Sequence, residues 1–188
     1  VDRYHHGDLH QALVDAAERS LVDGDLPSLR ALAREVQVSP ASVYHHFADK
    51  DALQAAVATR GFERLEAAQR EALAAPGEPA GRLLGLGRAY LAFALAHPAT
   101  YRLMMRKDLA RPHQFPALAA AADRSFQLLV EAVLEVRPEP EEARAVALEA
   151  WALAHGMISL WDLGPLRAKL GEEGLPPFVE RAFRRLFG

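Results

Sequence analysis

Apolar positions recur along this chain with the 3.6-residue period of helices, and strand-like alternation is nearly absent. Leu9, Leu13, Ala16, Ala17 and Leu21 mark a first helical face, with Asp8 and Gln11 as a capping box at its start and Gly24 as its stop. A short second helix follows Pro27, with Ser28 as N-cap and Leu29, Leu32, Ala33 and Val36 facing inward. Ser39-Pro40 opens a third, because proline at the first helical position gives up an N–H that has no helical partner anyway; this helix ends near Phe47. Asp49 caps a longer helix carrying Leu53, Ala56, Val57, Phe62 and Leu65, which fades into the linker Ala75-Pro76-Gly77-Glu78-Pro79. Beyond it the pattern predicts helices over 80–97, 99–107, 116–136, 140–163 and 176–187, punctuated by prolines. The expected fold is all-α, about nine helices in two parts.

Residues 28–47 read helix, tight turn, short helix, the spacing of a helix-turn-helix whose second helix enters the major groove. In the third helix Val43 and Phe47 sit four apart and can pack inward, leaving Pro40, Ala41, Ser42, Tyr44, His45 and His46 on the open face. Small leading residues allow close approach to base edges, Ser and His can hydrogen-bond, and Ala41 can touch a thymine methyl. Tyr44 offers a hydroxyl to a phosphate oxygen, and Lys50 lies in the first turn of the next helix, where free backbone N–H groups also favour an anion. The plainer alternative is a short helix between two turns with solvated Tyr, His and Lys.

Composition narrows the choice. The 188 residues carry 22 Lys+Arg, 25 Asp+Glu and no cysteine, so disulfides, thiol catalysis and Cys-ligated zinc are excluded. The first residues are polar and no apolar run reaches the roughly 18 residues of a membrane span, so a cytoplasmic protein with no membrane partner is expected. The net charge of −3 does not favour nucleic acid. Within 28–50, however, Arg30, Arg34 and Lys50 face only Glu35 and Asp49, so the candidate surface is the less acidic part of an acidic segment. Gly81, Gly85 and Gly87 match neither a phosphate loop nor a dinucleotide motif, which leaves close helix packing. His5, His6 and His10 lack a placed carboxylate, and no metal or cofactor is expected.

Residues 4–65 resemble the TetR family of bacterial transcriptional regulators. The resemblance rests on Ser28 through Leu32-Ala33, on Val38-Ser39, and on the block Tyr44-His45-His46-Phe47-Ala48-Asp49-Lys50-Asp51-Ala52-Leu53. The opening Tyr4-His5-His6-Gly7-Asp8-Leu9 and the later Trp151-Ala152-Leu153-Ala154-His155-Gly156 are similar to a subgroup with a tryptophan–histidine–glycine C-terminal domain. The resemblance places Ser28, Arg30, Ser39, Ser42, Tyr44, His46 and Lys50 at DNA-contacting positions, and implies that the histidine-rich opening steadies the first helix. Gln37 departs from the pattern by replacing the usual turn glycine, so that turn must accept a side chain. His45 stands where the subgroup often has arginine, so binding is expected to tighten in mildly acidic solution.

In the C-terminal half, only Arg144, Glu149, His155 and Ser159 interrupt an apolar helix between Ala143 and Trp161, which should therefore be covered on both sides. The last helix sets Phe178, Val179, Ala182, Phe183, Leu186 and Phe187 on one stripe. Two copies of each helix would make a two-fold four-helix interface, with Met157, Trp161, Phe178, Val179, Ala182, Phe183 and Leu186 as candidate contacts, the family's usual dimer. Tyr90, Phe93, His97, Tyr101, Met104, Met105, Phe126, Trp151 and His155 suit either an apolar effector pocket or an ordinary core; the resemblance favours the pocket, for an effector the sequence does not name. His155 is either its polar anchor or a satisfied core histidine.

The division expected is a DNA-binding domain over 1–55, a connecting helix over 56–75, and an effector-binding and dimerisation domain over 76–188. The function expected is a homodimeric regulator, a repressor by family habit, reading a palindromic operator in double-stranded DNA and released by a small molecule. The alternatives are a helical module that binds protein and an all-α enzyme; no Ser-His-Asp order, catalytic carboxylate pair or metal motif supports the enzyme.

Overall fold

The computed structural model describes residues 6–22 and 25–187, with side chains from residue 9 onward. Among these residues there are ten α-helices and no strand: α1 (His6–Arg19), α2 (Leu29–Glu35), α3 (Pro40–His46), α4 (Lys50–Ala74), α5 (Pro79–Ala96), α6 (Pro98–Met104), α7 (Pro116–Leu134), α8 (Pro140–Asp162), α9 (Pro165–Leu170) and α10 (Leu175–Phe187). The all-α expectation holds, and α9 is the helix the periodicity does not predict. It lies between Gly164 and Gly171, both at positive φ, and starts on Pro165. A proline that reads as a break is there the first helical residue. The start of α1 falls two residues before the expected cap, so Asp8 stands inside the first turn rather than ahead of it. Gly24 and the Tyr4-His5 opening lie outside the described residues.

Local chemistry fixes the early boundaries. The Ser28 hydroxyl accepts from the Ala31 N–H at 3.2 Å, Ser39 accepts from Ser42 at 3.1 Å, and the Asp49 carboxylate accepts from Ala52 at 2.7 Å. Each satisfies an N–H that the helix itself leaves bare, an effect of about 1 kcal/mol per cap.

The chain divides into two compact units. One takes in the residues up to Glu63 with His97–Ala122, and the other joins Arg64–Ala96 to the segment from Asp123 onward, so α4 and α7 contribute to both. In the first unit Leu13, Val14, Ala17, Leu29, Leu32, Val43, Phe47, Leu53 and Val57 form the core shared by α1 to α4. Arg60 of α4 clamps α1 through Asp15 at 2.5 Å and Glu18 at 3.2 Å. Ser20, just beyond α1, donates to Glu35 of α2 at 2.8 Å.

In the second unit α5, α8 and α10 pack together, and α7 adds Leu128, Leu129 and Val133 to a core with Leu83, Leu86, Ala143, Ala147 and Ala150. Of the three glycines in α5, only Gly87 is forced by packing. A Cβ there would stand 2.5 Å from a ring carbon of Phe183, whereas Gly85 meets only ordinary contacts and Gly81 meets open space.

Candidate nucleic-acid interface

The turn between α2 and α3 is a Schellman motif. The Val38 N–H reaches the Ala33 carbonyl at 2.9 Å and the Gln37 N–H reaches the Arg34 carbonyl at 3.3 Å, which leaves Gln37 at φ 60°. It is the only non-glycine residue at positive φ among the described residues. The side chain demanded of this turn by the missing glycine is therefore carried in the left-handed region, where a Cβ costs about 1–2 kcal/mol. Gln37→Gly should stabilise the protein by about 0.5–1 kcal/mol, because the freedom glycine adds to the unfolded chain takes back part of the relief. A denaturant midpoint that falls in the variant would contradict this.

That turn sets α3 on the surface with one side down. Val43 is fully buried and Phe47 nearly so, each contributing about 1.5–3 kcal/mol. His10 of α1 lies against the Phe47 ring at 4.8 Å and edge-on to His46 at 6.1 Å, so one histidine of α1 packs on the end of α3. The other side of α3 is open. Pro40, Ala41, Tyr44 and His45 are exposed, Ser42 and His46 are half-buried, and Tyr44 shows 47% of its surface to solvent.

Ser28 and Arg30 of α2 are exposed as well. The hydroxyls of Ser28 and Ser39 serve as cap acceptors, which leaves each O–H able to donate to a phosphate oxygen. Ser39 and Ser42 also share a hydroxyl–hydroxyl bond of 2.8 Å, which engages one of the two O–H groups and leaves the other available to a phosphate. Lys50, at the start of α4, is half-buried, and its ammonium bonds Asp25 at 2.8 Å. Sequence reasoning missed this partner, which lies 25 residues away in a loop with no periodic signal.

The nine candidate effector residues fall in both units. In the first, Tyr101 and Met104 are buried in α6, Met105 is half-buried, and His97 is exposed just before α6. Met104 and Thr100 crowd Gly61 of α4 so closely that a Cβ there would stand 2.6 Å from the methionine sulfur. In the second, Tyr90 and Phe93 of α5 are buried. Phe126 of α7 and Trp151 and His155 of α8 form a ladder: the Arg144 guanidinium lies 5.7 Å from the Phe126 ring, Phe126 is 6.1 Å from Trp151, and Trp151 is 6.3 Å from His155.

Burial holds the His155 imidazole below its ordinary value of 6.5, so it stays neutral in neutral solution beside the Ser159 hydroxyl at 3.5 Å. The unfolded chain then takes up this proton first as the pH falls. Its contribution to stability is intact above about pH 6.5 and is lost as the pH drops through the lowered folded value. A His155→Gln variant should therefore show a shallower fall in melting temperature between neutral and mildly acidic buffer. An unchanged slope would place the imidazole in water.

Helix α8 is apolar on two sides. One side, Ala143, Ala147, Ala150, Ala154, Met157 and Ile158, is buried in its own unit. The other leaves Leu148 at 43% and Leu160 at 49% exposed, with Trp151 and Leu153 also open and Leu163 exposed just past the helix end. Of the candidate dimer residues, Met157, Val179 and Phe183 lie in that unit's own core, and Trp161, Phe178, Ala182 and Leu186 are half-buried. Val179 and Phe183 also floor a half-open groove of about 310 Å³ between α5 and α10, with Leu91 and Leu95. Periodicity does not mark the exposed leucines of α8, because it draws two stripes on an apolar helix without saying which one its own chain covers.

Comparison with known proteins agrees with this architecture. Residues 13–57 match the family described as bacterial regulatory proteins, tetR family, and residues 83–186 match the tetracyclin repressor-like C-terminal domain. A Rhodococcus sp. RHA1 protein of unknown function is 35% identical over 100% of this chain and 97% of its own, with a TM-score of 0.83. The TetR family transcriptional regulator PfmR from Thermus thermophilus has the same fold at 17% identity and a TM-score of 0.69, over 94% of this chain and 97% of its own. The fatty acid degradation regulator FadR from Bacillus halodurans does so at 14% identity and a TM-score of 0.74, over 100% and 97%. No curated protein matches the chain in sequence. With family matches at both ends and the helix-turn-helix formed by α2 and α3, this chain belongs to the TetR family of DNA-binding transcriptional regulators.

Proposed function

We propose that the protein is a homodimeric, ligand-responsive repressor that binds a palindromic operator in the cytoplasm. Its DNA-reading part is residues 1–55, its connecting helix 56–75, and its effector-binding and dimerisation part 76–188. The observation that carries this reading is the two-sidedness of α3: Val43 and Phe47 anchor it, and Tyr44, His45 and the small residues at its leading end face solvent. Arg30, Tyr44, His46 and Lys50, with the hydroxyls of Ser28, Ser39 and Ser42, bind phosphates and set the register. Pro40, Ala41 and His45 approach base edges.

So few cations per subunit make one copy a weak binder, and that is where the dimer matters. The uncovered side of α8 supports two-fold pairing with the same helix of a second copy, because several large apolar side chains left exposed on one helix mark an interaction surface. Two recognition helices about 34 Å apart then act as one reader. The aromatic and methionine side chains of the C-terminal half, with the neutral His155 as the polar end of its ladder, suit a largely apolar effector. Such an effector releases DNA only to the extent that it binds the non-matching dimer state more tightly than the matching one.

Gel retardation of the DNA flanking the gene, repeated over a range of salt, tests this reading. The expected result is a discrete complex that weakens as salt rises, with a modest slope set by the few phosphate contacts per subunit. No complex at low salt would contradict it.

A further inference from the structure

One carboxylate oxygen in the first unit receives three donors, two from the start of α4 and one from the segment after α6. Oδ1 of Asp25 accepts the Lys50 ammonium at 2.8 Å, the Gln54 side-chain N–H at 2.9 Å, and faces the Arg106 guanidinium at 3.5 Å. Asp25 is held in place by a pair of backbone hydrogen bonds with Val22, at 3.1 and 2.9 Å, and by the nearly fully buried Gln54. The backbone of Asp25 is therefore held, its carboxylate stays 62% exposed, and its two charged partners are long side chains about one-third exposed.

Arg106 lies just past the end of α6 and is already forked onto Asp108, at 2.9 Å and 2.5 Å, so it only leans on Asp25. The hydrogen bond from Lys50, more than any other influence, keeps the Asp25 carboxyl below the usual carboxylate range. Lys50 is thus the stronger partner and Arg106 the weaker, competing one.

We propose that Asp25 is a positioning residue that restrains Lys50 from phosphate, and that Arg106 sets how hard it does so. This rests on the reading of Lys50 as a DNA contact. A phosphate approaching the start of α4 must draw the ammonium from Asp25, or share it. The more of the Asp25 charge Arg106 neutralises, the smaller the cost of that exchange. A small shift of the segment after α6 would close or open the 3.5 Å gap, and so alter the charge that Lys50 presents to DNA without moving α3.

The test is the affinity and salt dependence of binding to a fluorescent duplex of arbitrary sequence, measured on the full chain. Such a probe reads phosphate contacts alone, and no operator need be known. Asp25→Asn keeps an oxygen for the Gln54 N–H and removes the charge, and it should tighten binding about 3–10-fold with a steeper salt slope. In a Lys50→Gln background the same change should gain little. Arg106→Gln should weaken binding about 2–3-fold in the wild type, and not in Asp25→Asn, by the logic of double-mutant cycles.

Equal gains from Asp25→Asn with and without Lys50 would make Asp25 a plain repulsive charge and overturn the proposal. So would equal losses from Arg106→Gln in both backgrounds. If Lys50→Gln by itself left duplex binding unchanged, the reading of Lys50 as a phosphate contact would fail first, a separate outcome. Unchanged melting temperatures show that each variant is folded.

Discussion

A Leu148→Glu chain is expected to sediment as a monomer, to keep its helical fold while melting lower by what the partner subunit contributes, and to lose about two orders of magnitude or more of operator affinity. Leu148 is 43% exposed, so its own unit gains little from it, and a carboxylate there stays hydrated in a single chain. Across a two-fold axis the same substitution brings two new charges into a covered apolar patch, at several kcal/mol per ion. The affinity then falls because each recognition helix must bind alone, and linkage between two weak sites is commonly worth a factor of about 10²–10⁴. Sedimentation equilibrium and duplex binding on the same preparation check both halves. A variant that stays dimeric would place the interface away from Leu148.

Tyr44→Ala isolates the other half of the account. The ring stands clear of the core, so its loss should leave the melting temperature and the dimer intact. If the hydroxyl holds a phosphate, removal costs about 1.5–3 kcal/mol per half-site, the range for a hydrogen bond to a charged group, or roughly 10- to 150-fold. The loss should be nearly uniform across sequences, since a phosphate contact carries no base identity. A variant that binds as well as the wild type would mean that α3 does not face DNA by this edge.

The helix-turn-helix was legible in the sequence because its determinants are local. Ser28, Ser39 and Pro40 write two helix starts into a few residues, and Val43 with Phe47 writes the buried side. Gln37 was legible as a conflict: a residue with a Cβ stands where the connection needs a left-handed backbone, and it adopts φ 60°.

What the sequence hid was relational. Nothing near Lys50 indicates that Asp25 holds it, because that pair is made by the fold. Nothing within α8 says which of its two apolar stripes is already covered, so its exposed leucines carry no signal of their own. The glycines of α5 look alike in sequence, yet only Gly87 meets an aromatic ring. Helix α9 was hidden for a different reason, since proline and glycine at its ends read as loop chemistry until the backbone shows them to be its start and stop.

The central claim is that two copies of α3 are presented outward together by one symmetric particle. Selection of duplexes from a randomised pool by the wild-type protein, followed by sequencing, addresses it most directly. The account predicts enrichment of an inverted repeat whose half-sites are centred about one helical turn apart, or a multiple of it. Enrichment of an asymmetric motif, or none above the starting pool, would contradict it.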